Sequence, residues 1–121
     1  ISPAEVKHLN AHATSTPVGD HGEMEAIKTV FGRNGAIAVS GTKAATGHLL
    51  GAAGGMEAIF TIMALREQIA PPTRNLQEPD PSAEGIDLVG ATARPMAMDY
   101  AISNGFGFGG VNASALFRRW Q

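Results

Sequence analysis

Twice in this chain a short β-prone run passes through a loop of small and hydroxyl-bearing residues toward a helical pattern, and each junction carries a histidine. Residues 6–11, VKHLNA, form the first run, and HATSTPVG breaks it at Pro17 and Gly19. A helix is expected from Asp20, because Asp20 and Glu23 stand at capping-box spacing and Met24, Ile27, Val30 and Phe31 recur on one face. Gly32, Asn34 and Gly35 are expected to close it. Residues 36–39 form the second run, which SGTKAATG leads into a long helix over about residues 47–68. That helix is apolar on most sides, which implies burial, and its glycines 47, 51 and 55 fall on one face where another helix approaches closely.

From residue 70 to 85 the proline-rich, acidic APPTRNLQEPDPSAEG holds no regular element for long. It is a functional loop or a surface excursion around a neighbour. Residues 86–89, 100–103 and 111–117 then read as strands, the last two flanking GFGFGG at 105–110. The order β-α-β-α-β-β-β predicts one α/β layer with a mixed sheet packed against helices.

Composition excludes several function classes. A net charge of −2, with no long run of like charges, leaves no basic face for nucleic acid. No apolar run reaches the roughly 18 uninterrupted residues of a membrane span, since Glu57 interrupts residues 49–65. The 12.5 kDa chain with 44% hydrophobic residues can bury the core of one domain. Absence of cysteine removes a disulfide framework, a thiolate metal site and a thiol nucleophile, and fits a cytoplasmic or an organellar interior. The start, ISPAEVKHL, is neither a signal nor a transit peptide and reads as though mid-chain.

The chemistry concentrates at the two junctions. His12 sits where a strand runs out into a loop, the usual place for functional groups in open α/β sheets, although a core histidine would satisfy the same pattern. His48 is expected to open the second helix, where free N–H groups and the helix dipole disfavour an imidazolium. A neutral imidazole there suits hydrogen-bond donation to a developing oxyanion. Both junctions are expected on the same sheet edge. Lys43, five residues before His48, is either a surface charge or the partner that a buried Glu57 requires. Thr14, Ser15 and Thr16 serve as turn caps or as contacts for an amide- or phosphate-bearing arm.

Other patterns fit less well. His8 lies about 13 Å along a strand from His12, too far to share a metal ion, so His8 and His21 take structural roles. GFGFGG connects strand to strand, which rules out a dinucleotide fingerprint and leaves a tight hairpin, a mobile gate or a backbone N–H donor. Ser40 lacks a nucleophile-elbow pattern, and a Schiff-base role for Lys43 lacks a companion cofactor motif.

The motifs NAHATSTPVGDHGEMEAIK, SGTKAATGHLLGAAGGMEA, APPTRNL and SNGFGFGGVNAS, in this order, resemble the C-terminal half of the β-ketoacyl-[acyl-carrier-protein] synthases of the type II, elongating branch. Ketosynthase domains of polyketide synthases are the nearer alternative, and a non-catalytic thiolase-like partner subunit is a further one. The resemblance implies a thiolase-like fold and decarboxylative Claisen condensation, with residues 1–121 forming the C-terminal domain and the nucleophilic cysteine carried by an N-terminal half. It implies that His12 and His48 hold the malonyl thioester oxygen, that Lys43 and Glu57 form a supporting pair that orders the second histidine, His48, and local water, and that Phe108 gates the site and donates its N–H beside Phe106. Thr14 and Thr16 match positions that bind the phosphopantetheine arm, which arrives on acyl carrier protein, so no resident cofactor is expected. A homodimer is implied for the full enzyme, in the cytoplasm or a mitochondrial or plastid matrix. Ala13 stands where many members have glycine, and Gly105 where serine is common. The isolated chain is expected to be inactive in condensation and prone to self-association.

Overall fold

A computed structural model describes residues 1–33 and 35–120. The five-stranded sheet has the order β4-β2-β1-β6-β7, built from β1 (Val6–Asn10), β2 (Ala38–Ser40), β4 (Asp87–Leu88), β6 (Tyr100–Gly107) and β7 (Val111–Arg118). The first four strands in that group run parallel, and β7 pairs antiparallel with β6 at the edge. The sheet is therefore mixed, as the sequence order predicts. β1 sits between β2 and β6, with Asn10 opposite both Ser40 and Ser103.

Helices cover both faces because successive strand residues point to opposite sides. On one face Val6, Leu9 and Val39 pack with Ile27 of α1 (Pro17–Phe31). On the other, Ala38 and Ala101 pack with Leu65 of α3 (Ala53–Glu67). His8 and Asn10 alternate with Leu9, and Asn10 meets α3 through a contact from Nδ2 to the Glu57 carbonyl at 3.4 Å. That alternation aims polar side chains of a central strand at the helix that carries Glu57.

Several sequence expectations give way. α1 begins at Pro17, because proline at the first helical position already has the required φ and loses no intrahelical bond. Asp20 and Glu23 therefore lie inside the helix and form no capping box. Asp20 Oδ1 instead accepts the Ser15 N–H at 3.1 Å. The buried stripe of α1 is Glu23, Ile27 and Lys28, while Val30 is exposed. Lys28 is covered because its ammonium donates to Glu25 and to the Ser82 carbonyl, tying the 70–85 loop to the helix. Of the residues expected to end α1, Gly32 is the C-cap, and Asn34 lies outside the described residues.

The second helix is divided. α2 (Lys43–Thr46) ends at Gly47, whose φ of 75° turns the chain out of the helix, and a 3-10 turn at Leu50–Ala52 leads into α3. The three glycines therefore share no helix face, and among the described residues nothing lies within 4 Å of a Cβ built at Gly47, Gly51 or Gly55. Two short strands, β3 (Ile69–Ala70) and β5 (Arg94–Pro95), form an antiparallel pair that two-residue runs do not announce in sequence. The strand at residues 36–39 shifts to Ala38–Ser40, and β6 continues through Gly107, making GFGFGG the end of a strand and a hairpin turn.

Candidate active site

β1, β2 and β6 run parallel, so their C-terminal ends open on one edge and bring both histidine junctions and the glycine-rich hairpin together. The expectation of a shared edge holds. Ala11 N–H still bonds the Ser40 carbonyl at 2.9 Å, which holds the two junctions side by side just before they diverge. Below them Asn10 Oδ1 accepts the Thr42 hydroxyl at 3.0 Å.

His12 is half-buried, and its backbone is fixed by a carboxylate. Glu23, buried on α1, accepts the His12 N–H through Oε1 and the Ala13 N–H through Oε2, both at 2.8 Å. Asn104 Nδ2 donates to the same Oε1 at 3.0 Å, and Asn104 Oδ1 in turn accepts the Ser114 hydroxyl at 2.7 Å. One side chain thereby joins the loop after β1, helix α1 and strand β6. Ala13 and Ser15 have positive φ values of 29° and 64°, conformations that tethering by Glu23 and Asp20 sustains.

Lys43 opens α2 and is buried, as is Glu57 on α3. The Lys43 ammonium donates to Glu57 Oε1 in the ion pair that the sequence calls for, so the surface-charge alternative for Lys43 is excluded. The same ammonium stands 3.5 Å from His12 Nδ1. Because an ammonium only donates, Nδ1 is the acceptor and the ring proton sits on Nε2. Burial and then the Lys43 charge hold the His12 pKa below its usual value of 6.5, against opposing pulls from Glu23 and Glu57. His12 is neutral at pH 7.

His48 is placed differently from the expectation. It lies between α2 and the 3-10 turn, outside the first turn of any α-helix, and is exposed in this chain. Its Nδ1 accepts the Leu50 N–H at 3.3 Å, which Leu50 delivers from a left-handed φ of 53°. With Nδ1 accepting this N–H, Nε2 is the ring nitrogen left to donate. The two imidazoles stand edge to face with centroids 5.5 Å apart. Two imidazole rings thus meet at one edge of the sheet.

The phenylalanines separate. Phe106 lies 5.7 Å from the His12 ring, centroid to centroid, while Phe108 is fully exposed in the hairpin turn. Thr14 and Thr16 place their hydroxyls 3.2 Å apart beside His12, and Thr16, although the N-cap of α1, makes no side-chain capping bond. Ser40 is structural: its hydroxyl donates to the Pro71 carbonyl at 2.6 Å and lies 2.9 Å from His8 Nε2. Among the described residues no three His, Asp or Glu side chains gather as a metal ion would need. Sequence reasoning missed Glu23, Asn10, Thr42 and Asn104. The signal for Glu23 was visible but was spent on a cap, and the amides carry no spacing signature.

Residues 1–77 match the family described as beta-ketoacyl synthase, C-terminal domain. The chain belongs to the β-ketoacyl synthase family. It is 50% identical over 121 residues to 3-oxoacyl-[acyl-carrier-protein] synthase 2 of Vibrio harveyi, covering 98% of this chain and 29% of that protein. A β-ketoacyl synthase from Burkholderia phymatum superposes with a TM-score of 0.94 at 38% identity, over 100% of this chain and 29% of that one. The AntDE:AntF complex, a type II polyketide synthase acyl-carrier protein with its ketosynthase bound to the hexaketide, gives 0.92 at 31% identity, covering 100% and 30%. The fold is that of the thiolase-like ketosynthases. The chain spans less than a third of each of these proteins.

Proposed function

We propose that this β-ketoacyl synthase domain supplies the decarboxylation half of the active site of a 3-oxoacyl-[acyl-carrier-protein] synthase II in fatty acid elongation. The observation that carries the reading is the edge-to-face pair of imidazoles, each with Nδ1 engaged and with no hydrogen-bond partner for Nε2 among the described residues, His12 standing against the buried Lys43–Glu57 pair. In the malonyl thioester the bond to the carboxylate breaks, carbon dioxide leaves, and the electron pair passes into an enolate whose charge rests on the thioester oxygen. The Nε2–H groups of His12 and His48 donate to that oxygen, and neutral donors prepositioned in a protein site stabilise such charge without reorganisation. The enolate carbon then attacks an acyl thioester on a cysteine of the N-terminal half. A carbon–carbon bond forms and the thiolate departs.

Within this scheme Lys43 and Glu57 hold His12 in its donor tautomer. Thr14 and Thr16 take the amide groups of the phosphopantetheine arm that acyl carrier protein brings, and no resident cofactor is needed. Phe106 packs against His12, and Phe108, on the exposed hairpin turn, gates the acyl-cysteine side and offers its backbone N–H there. The partners are acyl carrier protein, the N-terminal half and a second subunit of the dimer, in the cytoplasm or a mitochondrial or plastid matrix. Among the described residues no helix is long and apolar enough to cross a membrane. The 50% identity to a 3-oxoacyl-[acyl-carrier-protein] synthase 2, against 31% to the polyketide ketosynthase, supports fatty acid over polyketide elongation. A partner subunit relieved of catalysis has no physical need for the His12, Lys43 and His48 arrangement.

The test is turnover of the full-length protein with acyl- and malonyl-carrier protein. Release of carbon dioxide with formation of the 3-oxoacyl product is expected, and the isolated 121 residues give no condensed product. A full-length protein that binds carrier protein but performs neither step belongs to the partner-subunit class. Condensation by the isolated domain contradicts the assignment of the cysteine to the other half.

A further inference from the structure

Thr16 presents an oddity at the mouth of the site. A threonine at an N-cap ordinarily turns its oxygen onto the free N–H groups of the first helical turn. Here it makes no such bond, and its hydroxyl pairs with Thr14 instead. What leaves room for it there is Gly19, the third residue of α1. A Cβ built on Gly19 would lie 2.5 Å from the Thr16 oxygen and 3.7 Å from that of Thr14. The first distance is below any tolerated contact, so a methyl group at position 19 requires the Thr16 side chain to move. Thr16 is β-branched and has few χ1 states to choose from, so moving means a different rotamer with the hydroxyl directed elsewhere.

We infer that Gly19 is a positioning residue for carrier-borne substrate, required because its missing side chain lets the Thr14 and Thr16 hydroxyls stand as a pair. This rests on the assignment of those threonines to the carrier arm. The ligand chemistry follows from the pair. One hydroxyl donates to the other, which leaves one O–H free to donate to a carbonyl and lone pairs free to accept an N–H. That combination matches both sides of a secondary amide, the repeating group of a pantetheine arm. Gly19 also runs against helix propensity, since alanine in the first turn is the better helix former.

Gly22 provides the control, because it lies one turn further along α1 and nothing stands within 4 Å of a Cβ placed there. In the full-length protein, Gly19→Ala, Gly22→Ala, Thr16→Ala and the Gly19→Ala/Thr16→Ala pair are compared in malonyl decarboxylation. The substrates are malonyl-carrier protein and S-methyl malonyl thioester, which has no amide. Gly19→Ala is expected to raise KM for malonyl-carrier protein about 3- to 10-fold, the loss of one or so hydrogen bonds, with kcat held. Gly22→Ala matches the parent, the methyl thioester is handled alike by the parent and both glycine variants, and the double variant matches Thr16→Ala because the clashing oxygen is gone. If Thr16→Ala raises KM while Gly19→Ala behaves as Gly22→Ala, the inference fails and the arm assignment stands. A Gly19→Ala loss that is equal with the methyl thioester also overturns it, as damage to the histidine site. If Thr16→Ala leaves KM unchanged, the arm assignment falls and this inference with it.

Discussion

Glu23 holds more of the site together than any other single side chain. Its carboxylate takes N–H groups from His12 and Ala13 and an amide from Asn104, while almost fully buried. Three donors would lose their acceptor on truncation, and a buried donor without a partner costs more than the bond was worth. Glu23→Gln keeps the shape but turns an NH2 group toward an N–H donor. It should destabilise the full-length protein by roughly 2–3 kcal/mol and lower decarboxylation, read by chemical denaturation and by carbon dioxide release. The four residues most directly concerned with the imidazoles, His12, Lys43, His48 and Glu57, were legible in the sequence because histidines and lone charges beside small-residue loops are conspicuous. Glu23 was not, because its partners are backbone N–H groups, which leave no mark in a sequence, and its spacing to Asp20 mimicked a cap.

At the scale of elements, the parallel register of β1 with β2 decides where both junctions open. That register is supported by a contact buried between the strands: His8 of β1, with no exposure, meets Ser40 of β2. Burial, with a smaller push from Arg94, lowers the His8 pKa from 6.5 to about 4. Between those values the unfolded chain binds a proton that the folded chain refuses, so stability rises with pH through that window and falls as pH drops through it. The amount is about 3 kcal/mol in all. Denaturation midpoints of the full-length protein at pH 4.5 and 7 should differ less in His8→Asn than in the parent; an equal difference would place the acid sensitivity elsewhere. The five strands of the main sheet and the presence of α1 were legible from apolar runs and period, whereas the two-residue strands β3 and β5 were not. The break between α2 and α3 was not, since a 3-10 turn continues much the same apolar spacing, and the positive φ values of Gly47 and Leu50 mark it.

At the scale of the whole molecule, two elements leave apolar residues uncovered by this chain. Gly55, Ile59 and Ile62 share the outer face of α3, while Val111 and Leu116 lie exposed on opposite faces of the edge strand β7. The single small-residue face expected from Gly47, Gly51 and Gly55 does not form, because Gly47 caps α2 and Gly51 lies in the 3-10 turn, leaving Gly55 alone on α3. An exposed apolar face such as that of α3 marks an interface, which accords with a domain that covers less than a third of its relatives. His48 and Phe108 are likewise exposed in this chain. The central claim is that His12 and His48 act together on the malonyl oxygen and not on the loading of the cysteine. The most direct measurement is made on His12→Ala and His48→Ala in the full-length protein, following carbon dioxide release from malonyl-carrier protein and acyl-enzyme mass in parallel. Each variant should lose decarboxylation by about 100-fold or more while still forming acyl-enzyme. Decarboxylation at the parent rate with loss of acylation would contradict the account.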